Sequence, residues 1–134
     1  MRNIKVLFFI LVFLTLNSSF LSFADVIKDF HLNGQLMIEA NFVNGKLEGN
    51  TTAYYENGNI KFEENYVNGK EEGIFKSYYQ NENLECEENY INGELHGIKK
   101  GYYEFGEIMY IETYKNGQMI NRIEYDLDGK LVKE

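Results

Sequence analysis

The sequence predicts an all-β fold: tandem β-hairpins stacked into one elongated, twisted antiparallel meander sheet, preceded by an N-terminal signal-peptide helix. Three observations lead to this fold class. The chain repeats itself every 24 residues, Asn-Gly dipeptides recur at a fixed place in each repeat, and apolar and polar residues alternate between the turns. Self-similarity at a fixed period indicates a repeat architecture, and alternation with a period of two indicates half-buried strands.

Residues 1–24 have the parts of a secretory signal peptide. Arg2 and Lys5 form the positive start, residues 6–16 form the apolar stretch, and Ser22-Phe23-Ala24 offers the small residues that a signal peptidase reads. Cleavage after Ala24 would start the mature chain at Asp25. The alternative is an uncleaved anchor, but the apolar run is short for a membrane span of about 20 residues. We therefore expect an exported protein, either periplasmic, associated with the cell envelope, or secreted.

The charge balance excludes some classes of partner. The chain of 134 residues has 13 basic and 21 acidic side chains and a net charge of −8. Without Arg2 and Lys5, 11 basic and 21 acidic residues remain, which gives −10. Nucleic-acid binding needs a cationic surface, so we expect no nucleic-acid partner. The same acidity argues against direct docking on anionic lipid.

Glycine and asparagine mark the repeat units. The first set of turns is Asn44-Gly45, Asn68-Gly69, Asn92-Gly93 and Asn116-Gly117. A second set is Gly34, Gly58, Glu82, Gly106 and, at a shorter spacing, Gly129. We expect one repeat domain over residues 25–134, with units at about 29–50, 51–74, 75–98 and 99–122 and a partial unit at 123–134.

Each unit is expected to contain a hairpin. In the second unit, strands over residues 49–56 and 59–66 flank a turn at Asn57-Gly58. Asn-Gly favours a two-residue type I′ turn, because that turn needs positive φ at both central residues. Such a loop pairs Tyr54 with Lys61 and Ala53 with Phe62. Small residues then oppose large ones, which supports this register.

Alternation assigns the side chains of the hairpin to two faces. One face is expected to carry Ala53, Tyr55, Ile60, Phe62 and Tyr66. The other is expected to carry Thr52, Tyr54, Lys61, Glu63 and Asn65. A single sheet with one apolar face has no second layer to cover it, so it must curl, form a homodimer or bind a partner.

The repeat resembles the bacterial variant of the MORN repeat over about residues 29 to 133. The resemblance rests on Tyr54-Tyr55-Glu56-Asn57-Gly58-Asn59-Ile60-Lys61, on Glu64-Asn65-Tyr66-Val67-Asn68-Gly69-Lys70 and on Gly73, with recurrences from Tyr78 and Tyr102. It implies stacked hairpins and a binding or scaffolding role. Bacterial proteins of this type are often labelled YwqK-family antitoxins, and eukaryotic relatives are labelled lipid-associated modules. Glu82 departs from the pattern, so Asn81 or Asn83 is expected to take the positive φ there.

The residues with catalytic or ligating chemistry are few and scattered. His31 shares a repeat position with Tyr55, whereas His96 occupies a turn position that glutamate fills elsewhere. We expect neither to bind a metal or cofactor. Cys86, the single cysteine, is expected to be a small buried hydrophobic residue. An intermolecular disulfide is the alternative, because an odd cysteine in an exported chain invites pairing.

Glu64, Glu88 and Glu112 form a ladder on the apolar face. Glycosidases use paired carboxylates about 5–10 Å apart, but the repeat alone spaces these residues by about 10 Å. We expect either a solvated rim position or partners such as Lys99, which should face Glu112. We therefore expect no enzyme, and intact activity after changing all three residues to glutamine would exclude a glycosidase.

The candidate partner-binding residues are Tyr54, Tyr78, Tyr102 and Tyr125, a regular aromatic ladder on the other face. Tyrosine combines apolar area with a polar tip, which suits protein contact. The alternative is that these rings stack with Lys61 and its equivalents to stabilise the sheet. The expected function is a non-catalytic protein-interaction or scaffolding module at the cell envelope or outside the cell. Two alternatives stay open: an antitoxin or immunity-type protein that neutralises a polypeptide toxin, and a membrane-lipid-associated module.

Overall fold

The computed structural model describes residues 24–133. The predicted signal peptide, apart from Ala24, and its helix lie outside the described residues. The described residues form one open antiparallel sheet of 12 strands, which confirms the predicted all-β meander. The strands are β1 (Asp25–Phe30), β2 (Leu36–Val43), β3 (Lys46–Tyr54), β4 (Ile60–Val67), β5 (Lys70–Glu71), β6 (Gly73–Tyr78), β7 (Leu84–Ile91), β8 (Glu94–Leu95), β9 (Gly97–Tyr102), β10 (Ile108–Lys115), β11 (Gln118–Tyr125) and β12 (Leu131–Lys133).

The order of strands across the sheet follows the chain. Only β5 and β8, of two residues each, lie beside this path, where they pair with β4 and β7. One residue separates each of these short strands from the next strand, which begins at a glycine of positive φ: Gly73 at 85° and Gly97 at 82°. Asn121 takes the corresponding place in the fourth unit and lies inside the continuous strand β11. Gly49, at φ 78°, likewise lies inside the continuous strand β3, so the strand is interrupted at this position only in the second and third units.

The first set of Asn-Gly turns has the predicted type I′ geometry. The four asparagines have φ between 50° and 53°, and the glycines that follow them are also at positive φ. Two-residue loops connect the flanking strands, as in the pairing of Val67 with Lys70. These turns close the hairpins at the same end of the strands.

The predicted two-residue turn at Asn57-Gly58 is wrong. The amide of Gly58 donates to the carbonyl of Tyr55 at 2.9 Å, and the amide of Tyr55 donates to the carbonyl of Asn59 at 2.8 Å. This is a three-residue loop in which only Gly58, at φ 88°, is left-handed. The side chain of Asn57 accepts the amide of Asn59 at 3.0 Å, which holds Asn57 without a positive φ.

The longer loop changes the register beside it. Tyr54 pairs with Ile60 instead of Lys61, and a bulge then restores the predicted pairing of Ala53 with Phe62. Ile60 therefore lies next to Tyr54, and the Nζ of Lys61 lies 5.6 Å from the ring centroid of Tyr55. Both residues were expected on the opposite faces, because alternation alone does not reveal a bulge.

The third unit keeps the same loop although its glycine is missing. Glu82 itself has φ 71°, so the expectation that Asn81 or Asn83 would take the positive φ is wrong. The side chain of Asn81 accepts the amide of Asn83 at 3.0 Å and donates to the carbonyl of Glu104 at 3.0 Å. These bonds fix the loop, so its third position is left-handed whichever residue occupies it.

Burial separates the two faces as predicted. The buried side chains lie on one side of the sheet, which we call the inner face: Ile38, Ala40, Phe42, Thr51, Ala53, Glu64, Tyr66, Glu88, Tyr90 and Glu112. The opposite side, which carries Thr52, Tyr54, Glu63 and Tyr78, is called the outer face. Gly101 opposes Tyr110, which repeats the pairing of a small with a large residue predicted for Ala53 and Phe62. The ring covers Gly101 closely, since an added Cβ would lie 2.3 Å from the Cε1 of Tyr110.

Candidate functional site

The four predicted partner-binding tyrosines occupy equivalent places in the fold. Tyr54, Tyr78, Tyr102 and Tyr125 are the last residues of β3, β6, β9 and β11, and all four are half-buried. Each pairs across the hairpin with an aliphatic residue: Tyr54 with Ile60, Tyr78 with Leu84, Tyr102 with Ile108 and Tyr125 with Leu131. We call these eight residues the outer aromatic band. The aliphatic partners were missed from the sequence because the bulge moves them to this face.

A second row of aromatic residues holds the backbone of the band in place. The hydroxyls of Tyr55, Tyr79 and Tyr103 donate to the carbonyls of Tyr78, Tyr102 and Tyr125 at 2.6, 2.7 and 2.9 Å. In the first unit the Nε2 of His31 lies 2.9 Å from the carbonyl of Tyr54 and takes the same role. Each repeat is thereby hydrogen-bonded to the next at the backbone carbonyl of an outer tyrosine. The sequence gives the spacing of this row but does not identify its acceptors.

The outer tyrosines lie beside carboxylates. The hydroxyl of Tyr78 donates to Glu63 at 3.1 Å, and burial together with Glu63 raises the pKa of Tyr78. Burial and the nearby charge of Glu87 raise the pKa of Tyr102. Both hydroxyls therefore stay protonated at neutral pH and can donate hydrogen bonds. The Nζ of Lys61 lies 5.6 Å from the ring centroid of Tyr55, so the predicted stacking with lysine concerns Tyr55 instead.

Ion pairs cross the outer face next to the band. Lys28 pairs with Glu39 at 2.7 Å, and Lys76 pairs with Glu87 at 3.7 Å. These side chains are between 34 and 51 % exposed. Exposed pairs of this kind contribute about 0–1 kcal/mol. They therefore tune the surface charge more than the stability.

The three glutamates of the inner face are not at a solvated rim, as one reading of the sequence suggested. Their exposed fractions are 7 % for Glu64, 6 % for Glu88 and 4 % for Glu112. Each accepts a hydrogen bond from the tyrosine two residues later: Tyr66 to Glu64 at 2.7 Å, Tyr90 to Glu88 at 2.5 Å and Tyr114 to Glu112 at 3.0 Å. The first unit has Ala40 and Phe42 at these places, so both polar partners are replaced together.

Two cations enter the inner face in its C-terminal half. Lys99 opposes Glu112 in the strand register as predicted, but its ammonium pairs with Glu88 at 3.0 Å. Glu112 pairs instead with Arg122. Burial alone would raise the pKa of Glu88, but hydrogen bonds from Tyr90 and Lys99 and the charge of Lys99 lower it. These carboxylates are committed to internal bonds.

Cys86 is half-buried instead of fully buried. Its thiol donates to Glu88 at 3.3 Å. Burial and the neighbouring charge of Glu88 raise the pKa of Cys86 to about 12. Since the thiolate is the reactive form, this thiol is a poor nucleophile at neutral pH.

His96 changes one of the contacts between repeats. Glu48 and Glu72 accept the amides of Asn68 and Asn92 at 2.7 and 2.8 Å. His96 stands in the third such position, next to a shallow depression of about 200 Å³ lined by Ile91, Asn92, Glu94, His96 and Asn116.

Among the described residues, no three side chains of histidine, cysteine, aspartate or glutamate gather as a metal site would require. Nor does residue range 24–133 contain a helix long and apolar enough to cross a membrane.

The repeat pattern agrees with one family of known sequences. A family model described as MORN repeat variant matches residues 26–44, 47–68, 71–92 and 95–116. Each matched segment ends at the asparagine of a type I′ turn. No curated protein matches the chain.

Proposed function

The chain belongs to the MORN repeat variant family, and on this premise we propose that it is an exported, non-catalytic interaction protein that binds a polypeptide partner through the outer aromatic band. The single observation that supports this proposal most is the band itself. It presents one tyrosine and one aliphatic residue per repeat, in a row that crosses the sheet. Tyrosine is enriched at the energetic centres of protein interfaces.

The band is also rigid, which favours binding. The residues behind it, Tyr55, Tyr79 and Tyr103, donate to the carbonyls of Tyr78, Tyr102 and Tyr125. A surface that is ordered before binding loses less conformational entropy when a partner docks. The side chain of tyrosine has only two rotatable torsions, so it adds little to that loss.

The charge around the band indicates the kind of partner. Glu63 contacts Tyr78, and Glu87 lies near Tyr102. The whole chain carries −8. We therefore propose that the partner presents a basic segment, since complementary charge speeds encounter and suppresses partners of the wrong charge.

The absence of catalysis is part of the proposal. A general acid needs a pKa raised toward the working pH, whereas the pKa of Glu88 is lowered by its hydrogen bonds and by Lys99 despite burial. Glu64 and Glu112 accept bonds from tyrosines as well. We propose that these carboxylates serve the fold.

Affinity capture with paired variants tests the proposal. The purified protein serves as bait for envelope and secreted fractions of its source cells, and is compared with the double variant Tyr78→Ala, Tyr102→Ala. The matched control is Ile74→Ala, Ile98→Ala, because these residues lie on the same strands and are 57 and 48 % exposed. We expect capture to be lost only with the tyrosine variant, while both variants keep the β-sheet circular dichroism.

Two outcomes would contradict the proposal. The first is equal capture by the native protein and the tyrosine variant. The second is equal loss with the isoleucine control, which would move the contact away from the band. Flotation with anionic vesicles runs beside the capture, and binding to vesicles that survives the tyrosine changes would favour a lipid surface instead.

A further inference from the structure

The two outermost strands of the described sheet, β1 and β12, each pair on one side only. β1 pairs with β2, and β12 pairs with β11. An unpaired strand edge is a template for another strand. The residues at these edges include exposed apolar side chains: Phe30 is 55 %, Leu131 is 51 % and Val132 is 64 % exposed.

The repeat spacing shows that these two edges are complementary halves of one interior contact. By the repeat, β12 corresponds to the start of β4, with Lys133 at the place of Phe62. In the same way β1 corresponds to β6, with Asp29 at the place of Ser77. Inside the sheet, β4 and β6 are neighbours, and Phe62 pairs with Ser77.

We propose that a second copy of this chain docks its β1 on the β12 of the first copy and continues the sheet in the register of the interior repeats. The strand directions permit this contact. Successive strands on the path from β1 to β12 alternate in direction, and the path contains ten strands. With an even number, β12 of one copy and β1 of the next run antiparallel, as β4 and β6 do.

Charge and apolar surface both match in this register. Lys133 of one copy lies opposite Asp29 of the next, and opposite charges that face each other across strands are favourable by about 0.2–1 kcal/mol. The outer aromatic band also continues without a gap, because Tyr125 and Leu131 are followed by Phe30 and Leu36 of the second copy. Within each copy Phe30 pairs with Leu36, as each band tyrosine pairs with its aliphatic partner.

The contact joins two different edges, so it is heterologous and does not close on itself. It also involves a short strand, since β12 has three residues. A contact of this size is weak, and we expect assembly to depend on concentration. The inference uses the sheet edges and not the partner site, so it is independent of the proposed function.

Sedimentation equilibrium of the purified protein tests the inference. From about 10 µM to about 1 mM, we expect the average mass to rise without a plateau at the dimer. Asp29→Lys and Lys133→Asp should each weaken association about fivefold. An equimolar mixture of the two variants should restore association, because each variant then finds a complementary edge on the other.

Charge changes of the same sign at exposed positions away from the sheet edges, Glu56→Lys and Lys46→Asp, serve as controls and should leave association unchanged. Circular dichroism confirms that all variants are folded. A monomer at every concentration would overturn the inference and would show that the charged edge residues keep strands apart. A closed dimer, or association unchanged in both edge variants, would overturn it as well.

Discussion

Glu82 occupies a left-handed backbone position that glycine fills in the other loops of its kind. Its φ is 71°, close to the 88° of Gly58. In this region of φ the Cβ of a side chain lies too close to the following carbonyl oxygen, which costs about 1–2 kcal/mol per residue. The loop nevertheless keeps its shape, because Asn81 bonds to the amide of Asn83 and to the carbonyl of Glu104. The strain is local and can be relieved.

We therefore expect Glu82→Gly to stabilise the protein by about 1 kcal/mol. The free energy of unfolding in urea measures this gain. Glu82→Ala is the control, because it removes the charge but keeps the Cβ, and it should give no comparable gain. Equal effects of glycine and alanine would contradict the explanation, since the benefit would then come from the loss of the carboxylate.

Gly101 is required for a different reason, which is space. A Cβ at this position would meet the Cε1 and Cζ of Tyr110 at 2.3 and 2.4 Å. We expect Gly101→Ala to destabilise the protein by about 1–3 kcal/mol, measured by thermal or urea unfolding.

The neighbouring repeat provides the control for Gly101. It pairs Ser77 with Cys86 at the same places. The double variant Gly101→Ser, Tyr110→Cys transfers this pair and should recover part of the loss. A Gly101→Ala protein as stable as the native one would show that the ring does not constrain this site.

At the scale of the elements, the turns determine which face each residue joins. The type I′ turns could be predicted from sequence, because Asn-Gly suits positive φ at both positions. The three-residue loops could not, since Asn57 holds its place through a side-chain bond to Asn59 that no periodicity reports. The resulting bulge brings Ile60 next to Tyr54 and Lys61 next to Tyr55. For this reason the tyrosines of the candidate site were predictable and their aliphatic partners were not.

The contact between neighbouring hairpins depends on a carboxylate in two units. Glu48 and Glu72 accept the amides of Asn68 and Asn92. His96 replaces this carboxylate beside Asn116. We expect His96→Glu to stabilise the protein by about 1 kcal/mol, because it supplies a charged acceptor for that amide.

Urea unfolding at neutral pH measures this effect, with His96→Ala as the control that removes the ring without adding an acceptor. The reverse change, Glu72→His, should destabilise by a similar amount. If Glu72→His lowers the free energy of unfolding but His96→Glu does not raise it, the two positions are not equivalent. That result would contradict the explanation.

Across the whole molecule, the repeated pattern specifies the sheet, whereas the side-chain contacts differ from one repeat unit to the next. The order and direction of strands follow from the 24-residue period, which is why the fold was predictable. The contacts of the inner face were less predictable from the sequence. Lys99 opposes Glu112 in the register, yet its ammonium pairs with Glu88. A long side chain reaches more than one neighbour, and strand pairing does not decide between them.

The inner face makes stability depend on pH. Burial is the main cause that raises the pKa of Cys86 from 9.0 to about 12, and that of Tyr110 from 10.0 to about 12. Because the folded state holds these protons more tightly, their contribution is complete below the unfolded pKa and is lost as pH rises through the folded pKa. The pKa of Glu88 is lowered from 4.5 by Tyr90 and Lys99 although burial opposes this, so its contribution is lost as pH falls.

We therefore expect a stability plateau from about pH 5 to pH 9, with losses on both sides. Urea unfolding at a series of pH values measures the profile. In Cys86→Ala the alkaline loss should begin near the ordinary pKa of tyrosine, 10.0, instead of 9.0. An alkaline limb that does not move in this variant would show that Cys86 does not contribute to it.

The two faces of the sheet are expected to have separate tasks, and adjacent residues allow this to be tested. Tyr102 belongs to the outer aromatic band, whereas the hydroxyl of Tyr103 donates to the carbonyl of Tyr125 at 2.9 Å, bonding one repeat to the next. The most direct measurement compares Tyr102→Ala with Tyr103→Ala for both unfolding free energy and affinity for the captured partner. We expect Tyr102→Ala to lose affinity with less than about 1 kcal/mol of stability, and Tyr103→Ala to lose about 2 kcal/mol while its folded fraction still binds. Loss of affinity in the folded Tyr103→Ala protein, with unchanged affinity in Tyr102→Ala, would contradict the account.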